Sequence, residues 1–309
     1  MKKILLFLMM LGLTLIVSGC KQSDQADIYT TVYPIEFVAK EIVKDKKIVK
    51  SVYPRGGEVH DYEPYPKQII AIADSDILFY IGLGLEPFIK RALTTTFKDL
   101  KTVRVTENVQ LVEMDGTHQH GEDEESEQEG HIYDTHVWLD PLAMIGITNA
   151  VLEELIIVYP EFTEEFSLNA EALIAELEAL HNEYLEALSD ETIISKTIMV
   201  DHDAYAYWTF RYGINRIKLR SDNESNEVDA ATLIEKINQA KELNIKYIIA
   251  SKNEAKSALF DQYIKSLKAE EEELHHLGTI TTNELKAAKN YLTIMRDNLQ
   301  VLVKVLPRG

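Results

Sequence analysis

EFTEEFSLNAEALIAELEALHNEYLEAL, residues 161–188, is the longest periodic segment of the chain. Leu173, Leu177, Leu180 and Tyr184 recur at steps of four and three, and Glu171, Glu176, Glu178 and Glu183 fall mostly on other faces. That spacing predicts one amphipathic helix of several turns with an apolar stripe to bury. The segment sits in the middle of 309 residues, so the stretch 160–190 reads as the connection between two halves.

Both halves alternate strand and helix. Upstream, from Ile28, Ile48 to Tyr53 reads as a strand stopped by Pro54, followed by a helix from Pro66 to Asp74. A strand from Ile77 to Ile81 ends at Gly82 and Gly84, and Thr102 to Val105 adds a short one. Asp140-Pro141 opens a helix to Val158, because Asp accepts from free amides and Pro suits the first helical position. Downstream, Thr197–Val200 and Tyr247–Ala250 read as strands. Helices are expected over Ala204–Tyr212 (closed by Gly213), Ala230–Leu243, Ala255–Lys268 and Asn283–Val305. Such alternation implies parallel sheets with crossover helices. The predicted fold class is α/β, with small lobes over 28–159 and 191–309.

Two segments fall outside this pattern. Residues 115–131 carry His118, His120 and His131 in a dense block of acids without apolar periodicity. Such a run cannot offset its ordering entropy by burial and reads as a mobile loop, either a weak collector of metal or a solvated insertion. Residues 1–19 read as a leader: Lys2-Lys3, then an apolar stretch from Ile4 to Val17 too short to span a bilayer comfortably. Its end, Val17-Ser18-Gly19-Cys20, resembles the lipobox of bacterial lipoproteins. That resemblance implies a lipidated Cys20, a tether over 20–27 and a place on the extracytoplasmic face of the cell membrane. An ordinary secretory signal cut nearby is the alternative.

Cys20 is the single cysteine, which excludes an intrachain disulfide, a Cys-ligated zinc site and a cysteine nucleophile elsewhere. A formal charge of −19 argues against nucleic acid as a partner and favours approach of a cation. Self-repulsion and solubility account for most of that charge.

Three histidines lie far apart: His60 in Gly-Gly-Glu-Val-His-Asp-Tyr-Glu-Pro, His136 in Asp-Thr-His-Val-Trp-Leu-Asp-Pro, and His202 in Val-Asp-His-Asp-Ala-Tyr. Each follows a short apolar run that reads as a strand. At the carboxyl ends of parallel strands they would line the ligand crevice of an open α/β fold. Three imidazoles meeting at one point suit a borderline-soft divalent ion, zinc above all. Taken alone, any one of them reads as a hydrogen-bonded structural residue. Asp134 and Asp140 flank His136, and Asp201 and Asp203 flank His202, as carboxylates able to fix a tautomer. His181, within the long helix, reads as a surface residue.

At these residues the chain resembles the metal-binding lipoproteins of bacterial ABC importers for zinc and manganese, a cluster that includes proteins described as adhesins. The likeness covers nearly everything after Cys20. Its landmarks are Gly57–Pro64, Gly82–Glu86, His136–Pro141, His202–Tyr205 with Arg211-Tyr212-Gly213, and Tyr291–Leu299. It implies two α/β lobes joined by a rigid long helix, one metal in the cleft, and an ABC permease with its ATPase as partners. It also implies that His60, His136 and His202 are ligands of a transported Zn²⁺. Manganese members carry a carboxylate at the third position, so His202 tips the reading to zinc. Zinc members often place a ligating Glu where this chain has Gly278, leaving His275, His276, a loop histidine or water to complete the tetrahedron.

A manganese importer and an adhesin are the alternatives. An enzyme is not expected: three histidines can hold a catalytic zinc, but the chain has no His-Glu-x-x-His helix and no Gly-x-Ser-x-Gly elbow.

Overall fold

The computed structural model describes residues 25–60, 62–114, 133–220 and 229–309. Cys20 and the histidines at 118, 120 and 131 lie outside the described residues.

The first lobe runs β1 (Ile28–Thr30), α1 (Tyr33–Val43), β2 (Val49–Ser51), α2 (Pro66–Ala73), β3 (Ile77–Tyr80), α3 (Pro87–Leu93) and β4 (Lys101–Arg104). Its four strands are parallel in the order β2-β1-β3-β4. A 3₁₀ turn at Val137–Leu139 leads into α4 (Pro141–Val158), a second at Pro160–Phe162 into α5 (Thr163–Leu188). The second lobe runs β5 (Thr197–Val200), α6 (Ala206–Tyr212), β6 (Asn215–Lys218), α7 (Ala230–Glu242) and β7 (Tyr247–Ser251). It ends with α8 (Phe260–Leu267), β8 (Glu270–Leu274), α9 (Thr282–Lys286) and α10 (Tyr291–Val305). Its sheet, β6-β5-β7-β8, is also parallel and repeats the order of the first. In both sheets the order reverses after the first strand, so β1/β3 and β5/β7 are switch points with a crevice at their carboxyl ends.

The predicted helix is α5, and its stripe is buried as expected: Phe166, Ala170, Leu173, Leu177, Leu180, Tyr184 and Leu188 face inward. It packs on α1 and α4 of the first lobe and on α6 and α10 of the second. One apolar core therefore runs through both lobes, from Ile28 and Phe37 to Trp208, Tyr291 and Leu302. A smaller cluster around Met199, Ile248, Phe260 and Tyr263 lies within the second lobe.

The structure adds α3 and β6 to the elements the patterning shows and departs from it elsewhere as well. The expected helix over 283–305 is two: Ala288 takes a positive φ of 56°, and Asn290 caps α10 by accepting from the Thr293 amide. The expected helix from Ala255 starts only at Phe260, because the Ser257 amide is held by Asp201 Oδ2 at 2.7 Å. Strand β8 is Glu-Glu-Glu-Glu-Leu at a sheet edge, where one side needs no apolar residues, so periodicity does not reveal it. Finally, His136 follows no sheet strand. Tyr133 makes only an isolated antiparallel bridge to Glu113, and His136 precedes the 3₁₀ turn.

Candidate metal centre

Each of the three histidines is placed by a different local device. His60 lies in the loop between β2 and α2, where the Glu58 carboxylate accepts from the amides of Val59 (2.8 Å) and His60 (3.1 Å). The Thr279 hydroxyl donates to the Gly57 carbonyl at 3.0 Å, tying this loop to the second lobe. His136 is oriented by Asp134, whose Oδ1 accepts from its amide (2.7 Å) and lies 2.9 Å from its Nδ1. Behind it, Val137, Trp138 and Leu139 are fully buried and anchor the turn. His202 follows β5 at the switch point, with Nδ1 3.0 Å from Glu254 Oε2.

Among the described residues, the side chains able to share a metal ion are His60, His136 and His202, with ring nitrogens within 4.8 Å of one another. His136 Nε2 and His202 Nε2 stand 3.4 Å apart. A tetrahedral zinc with Zn–N bonds of about 2.0–2.1 Å has ligand edges of about 3.3–3.4 Å, so this pair already spans one edge. Both have Nδ1 against a carboxylate, which leaves the Nε2 lone pairs facing the common centre.

Burial, then the neighbouring imidazoles of His136 and His202, lowers His60 to about 4, so it stays neutral and available to a cation in ordinary conditions. Burial also works against charge on His202, but its hydrogen bond and attraction to Glu254 outweigh that and hold it above the usual value. Glu254 loses solvation on burial, yet the two imidazoles it pairs with, His202 and His276, hold its carboxyl well below the usual range.

Of the four acids flanking the histidines, only Asp134 touches a ring. Asp140 caps α4 at the Leu142 amide and takes Arg211, Asp201 takes the Ser257 amide and Arg220, and Asp203 takes Arg216 and Lys218. Glu254, which pairs with His202 Nδ1, lies 52 positions away in sequence. Its one signal in the chain is its place just after β7, at a carboxyl strand end. His181 is not a plain surface residue: it is half-buried, with Nδ1 3.1 Å from the Tyr212 hydroxyl.

The region around Gly278 has its own internal logic. A Cβ there would meet His276 Cε1 at 3.1 Å, Nδ1 at 3.2 Å and Val59 Cγ1 at 3.3 Å, so a side chain at 278 would press on the His276 ring. His275 Nδ1 accepts from the Leu277 amide at 2.9 Å and His276 Nδ1 from the Gly278 amide at 3.2 Å. Each Nε2 therefore carries the proton, and each faces a carboxylate: Glu284 for His275 (3.5 Å) and Glu254 for His276 (2.8 Å). A protonated nitrogen offers no lone pair to a cation, so neither histidine is arranged as a fourth ligand.

Two parallel-sheet lobes, a long helix between them and an imidazole cluster where they meet are the architecture of a two-lobed solute-binding family, which the family match identifies. The chain belongs to the family described as zinc-uptake complex component A, periplasmic (ZnuA), whose model matches residues 28–305. This is a family of solute-binding transport proteins. The chain is 32% identical over 311 residues to the zinc-binding lipoprotein AdcA of Streptococcus pneumoniae, covering 98% of this chain and 60% of that protein. It therefore spans about 60% of the length of that relative. It is 28% identical over 293 residues to the high-affinity zinc uptake system protein ZnuA of Bacillus subtilis, covering 92% of this chain and 89% of that one. The crystal structure of the Zn(II)-bound ZnuA-like domain of S. pneumoniae AdcA superposes with a TM-score of 0.75 at 28% identity, covering 92% of this chain and all of that domain.

Proposed function

We propose that this protein captures Zn²⁺ outside the membrane through His60, His136 and His202 and delivers it to an ABC permease whose ATPase drives import. The observation that carries this reading is the 3.4 Å separation of two Nε2 atoms, each backed by a carboxylate, with a third imidazole beside them. Nitrogen donors suit zinc over manganese, which takes oxygen readily, and the relatives' names point the same way. Cys20 is assigned as the lipid anchor, 1–19 as the leader and 20–27 as the tether. The lobes are assigned as 28–159 and 191–309, with 160–190 as the linking helix.

The reading predicts that zinc binds tightly to the protein lacking its leader and that the triple variant His60→Ala, His136→Ala, His202→Ala loses that binding. Competition titration against a zinc chelator measures both. Equal affinity in the two proteins overturns the assignment.

A further inference from the structure

We propose that Glu254 is a positioning residue of the site: held from behind by His276, it fixes the tautomer of His202 and supplies the second lobe's share of charge compensation for the metal. This rests on the zinc-capture reading above.

The geometry comes from three neighbouring strand ends. His202 follows β5, Glu254 follows β7 and His276 follows β8, and these strands are adjacent in the order β5-β7-β8. Glu254 Oε2 is 3.0 Å from His202 Nδ1, and its Oε1 is 2.8 Å from His276 Nε2. The side chain of Glu254 is 13% exposed, so water does little to hold the carboxylate in place. His276 does so instead. Its Nδ1 is occupied by the Gly278 amide, its Nε2 lies 2.8 Å from Glu254 Oε1 as a close electrostatic contact, and its ring lies parallel to His202 with centroids 5.4 Å apart.

His276 also ties this unit to the other lobe. Its carbonyl accepts from Trp138 Nε1 at 2.7 Å, two residues beyond His136. A single relay of contacts thus runs from His136 through Trp138, His276 and Glu254 to His202, and sets the distance between two rings that belong to different lobes.

Charge supports the same role. Three neutral imidazoles leave a dication uncompensated, and a buried uncompensated charge is costly. Asp134 behind His136 and Glu254 behind His202 place one carboxylate on each side, with Glu58 in the His60 loop nearby. A carboxylate behind a ligating imidazole also makes the ligand more basic. The His276 ring lies close over Gly278, so a side chain there would require that ring to shift by a few tenths of an ångström.

The test uses the protein without its leader, ¹⁵N-labelled, with zinc as the probe. In the zinc-loaded wild type, long-range ¹H–¹⁵N spectra of the imidazoles should show His136 and His202 both bound through Nε2 with Nδ1 protonated. Glu254→Gln keeps an acceptor and removes the charge, so the His202 tautomer persists while zinc affinity falls. Glu254→Ala removes both, so affinity falls about 10–100-fold and, in the metal-free protein, His202 loses its preference for the Nδ1–H tautomer, with that of His136 unchanged. An alanine variant with wild-type affinity and an unchanged His202 tautomer overturns the proposal, and so does a lowered melting temperature of the metal-free protein with wild-type affinity. Failure of the wild type itself to bind zinc would instead defeat the functional reading, independently of Glu254.

Discussion

At the residue scale the three histidines were readable, but the groups that aim them were only half so. Asp134 stands two positions from His136, and a local carboxylate can be found by inspection. Glu254 reaches His202 only because two parallel strands lie side by side. Glu86 shows the same switch-point logic in the first lobe. It is buried at 4% exposure and accepts from the Thr31 hydroxyl (2.7 Å) and the amides of Ile81 and Gly82 (2.9 Å each). Burial outweighs these three donors and pushes its carboxyl up from 4.5 to about 7. The folded chain then holds a proton that the unfolded chain has already released, so stability is fully present below about pH 4.5 and falls as pH rises to about 7. The loss across that window is about 3 kcal/mol. Urea midpoints measured across it should fall for the wild type, and Glu86→Gln should remove this contribution to the slope.

At the scale of elements, the helix termini matter most. The start of α4 was legible in Asp140-Pro141, and the structure adds a second duty. Besides capping Leu142 at 3.0 Å, Asp140 accepts from Arg211 Nε (3.0 Å) and Nη2 (2.7 Å), so a residue of the first lobe holds α6 of the second. Asp140 is 2% exposed. Asp140→Ala therefore uncaps α4 and leaves Arg211 with its charge unpaired, at a cost of about 3 kcal/mol or more. Asp140→Asn keeps the cap and should cost less; chemical denaturation of both variants measures the difference. The break between α9 and α10 was not legible, because Ala287-Ala288-Lys289 is good helix sequence. The Asn290 cap overrides propensity by offering the α10 amides a partner before the previous helix can continue.

For the whole molecule, the shared core decides behaviour. Trp208 Nε1 donates to the Leu139 carbonyl (2.8 Å), the Tyr291 hydroxyl to the Trp138 carbonyl (2.7 Å) and the Tyr33 amide to the Gly278 carbonyl (2.9 Å). Phe37 of α1 stacks on Tyr291 of α10, with centroids 5.6 Å apart. Lobes joined this way share their main core, with only a smaller cluster confined to the second lobe, so calorimetry of the metal-free protein should show one cooperative transition, with equal calorimetric and van't Hoff enthalpies. Two resolved transitions would contradict the shared core. A wide hinge motion would have to break these same contacts, which directs metal exchange toward the loops that carry His60 and His202.

The alternation of strand and helix, the long central helix and the candidacy of the three histidines were all legible in the sequence, because periodicity and residue type are local properties that survive without a fold. What the tertiary structure alone decided was convergence. It set the 3.4 Å approach of His136 to His202, recruited Glu254 across adjacent strands, and laid the His276 ring close over Gly278. Each depends on strand order and on how the lobes pack. Contacts between residues far apart in the chain leave no periodic trace in it.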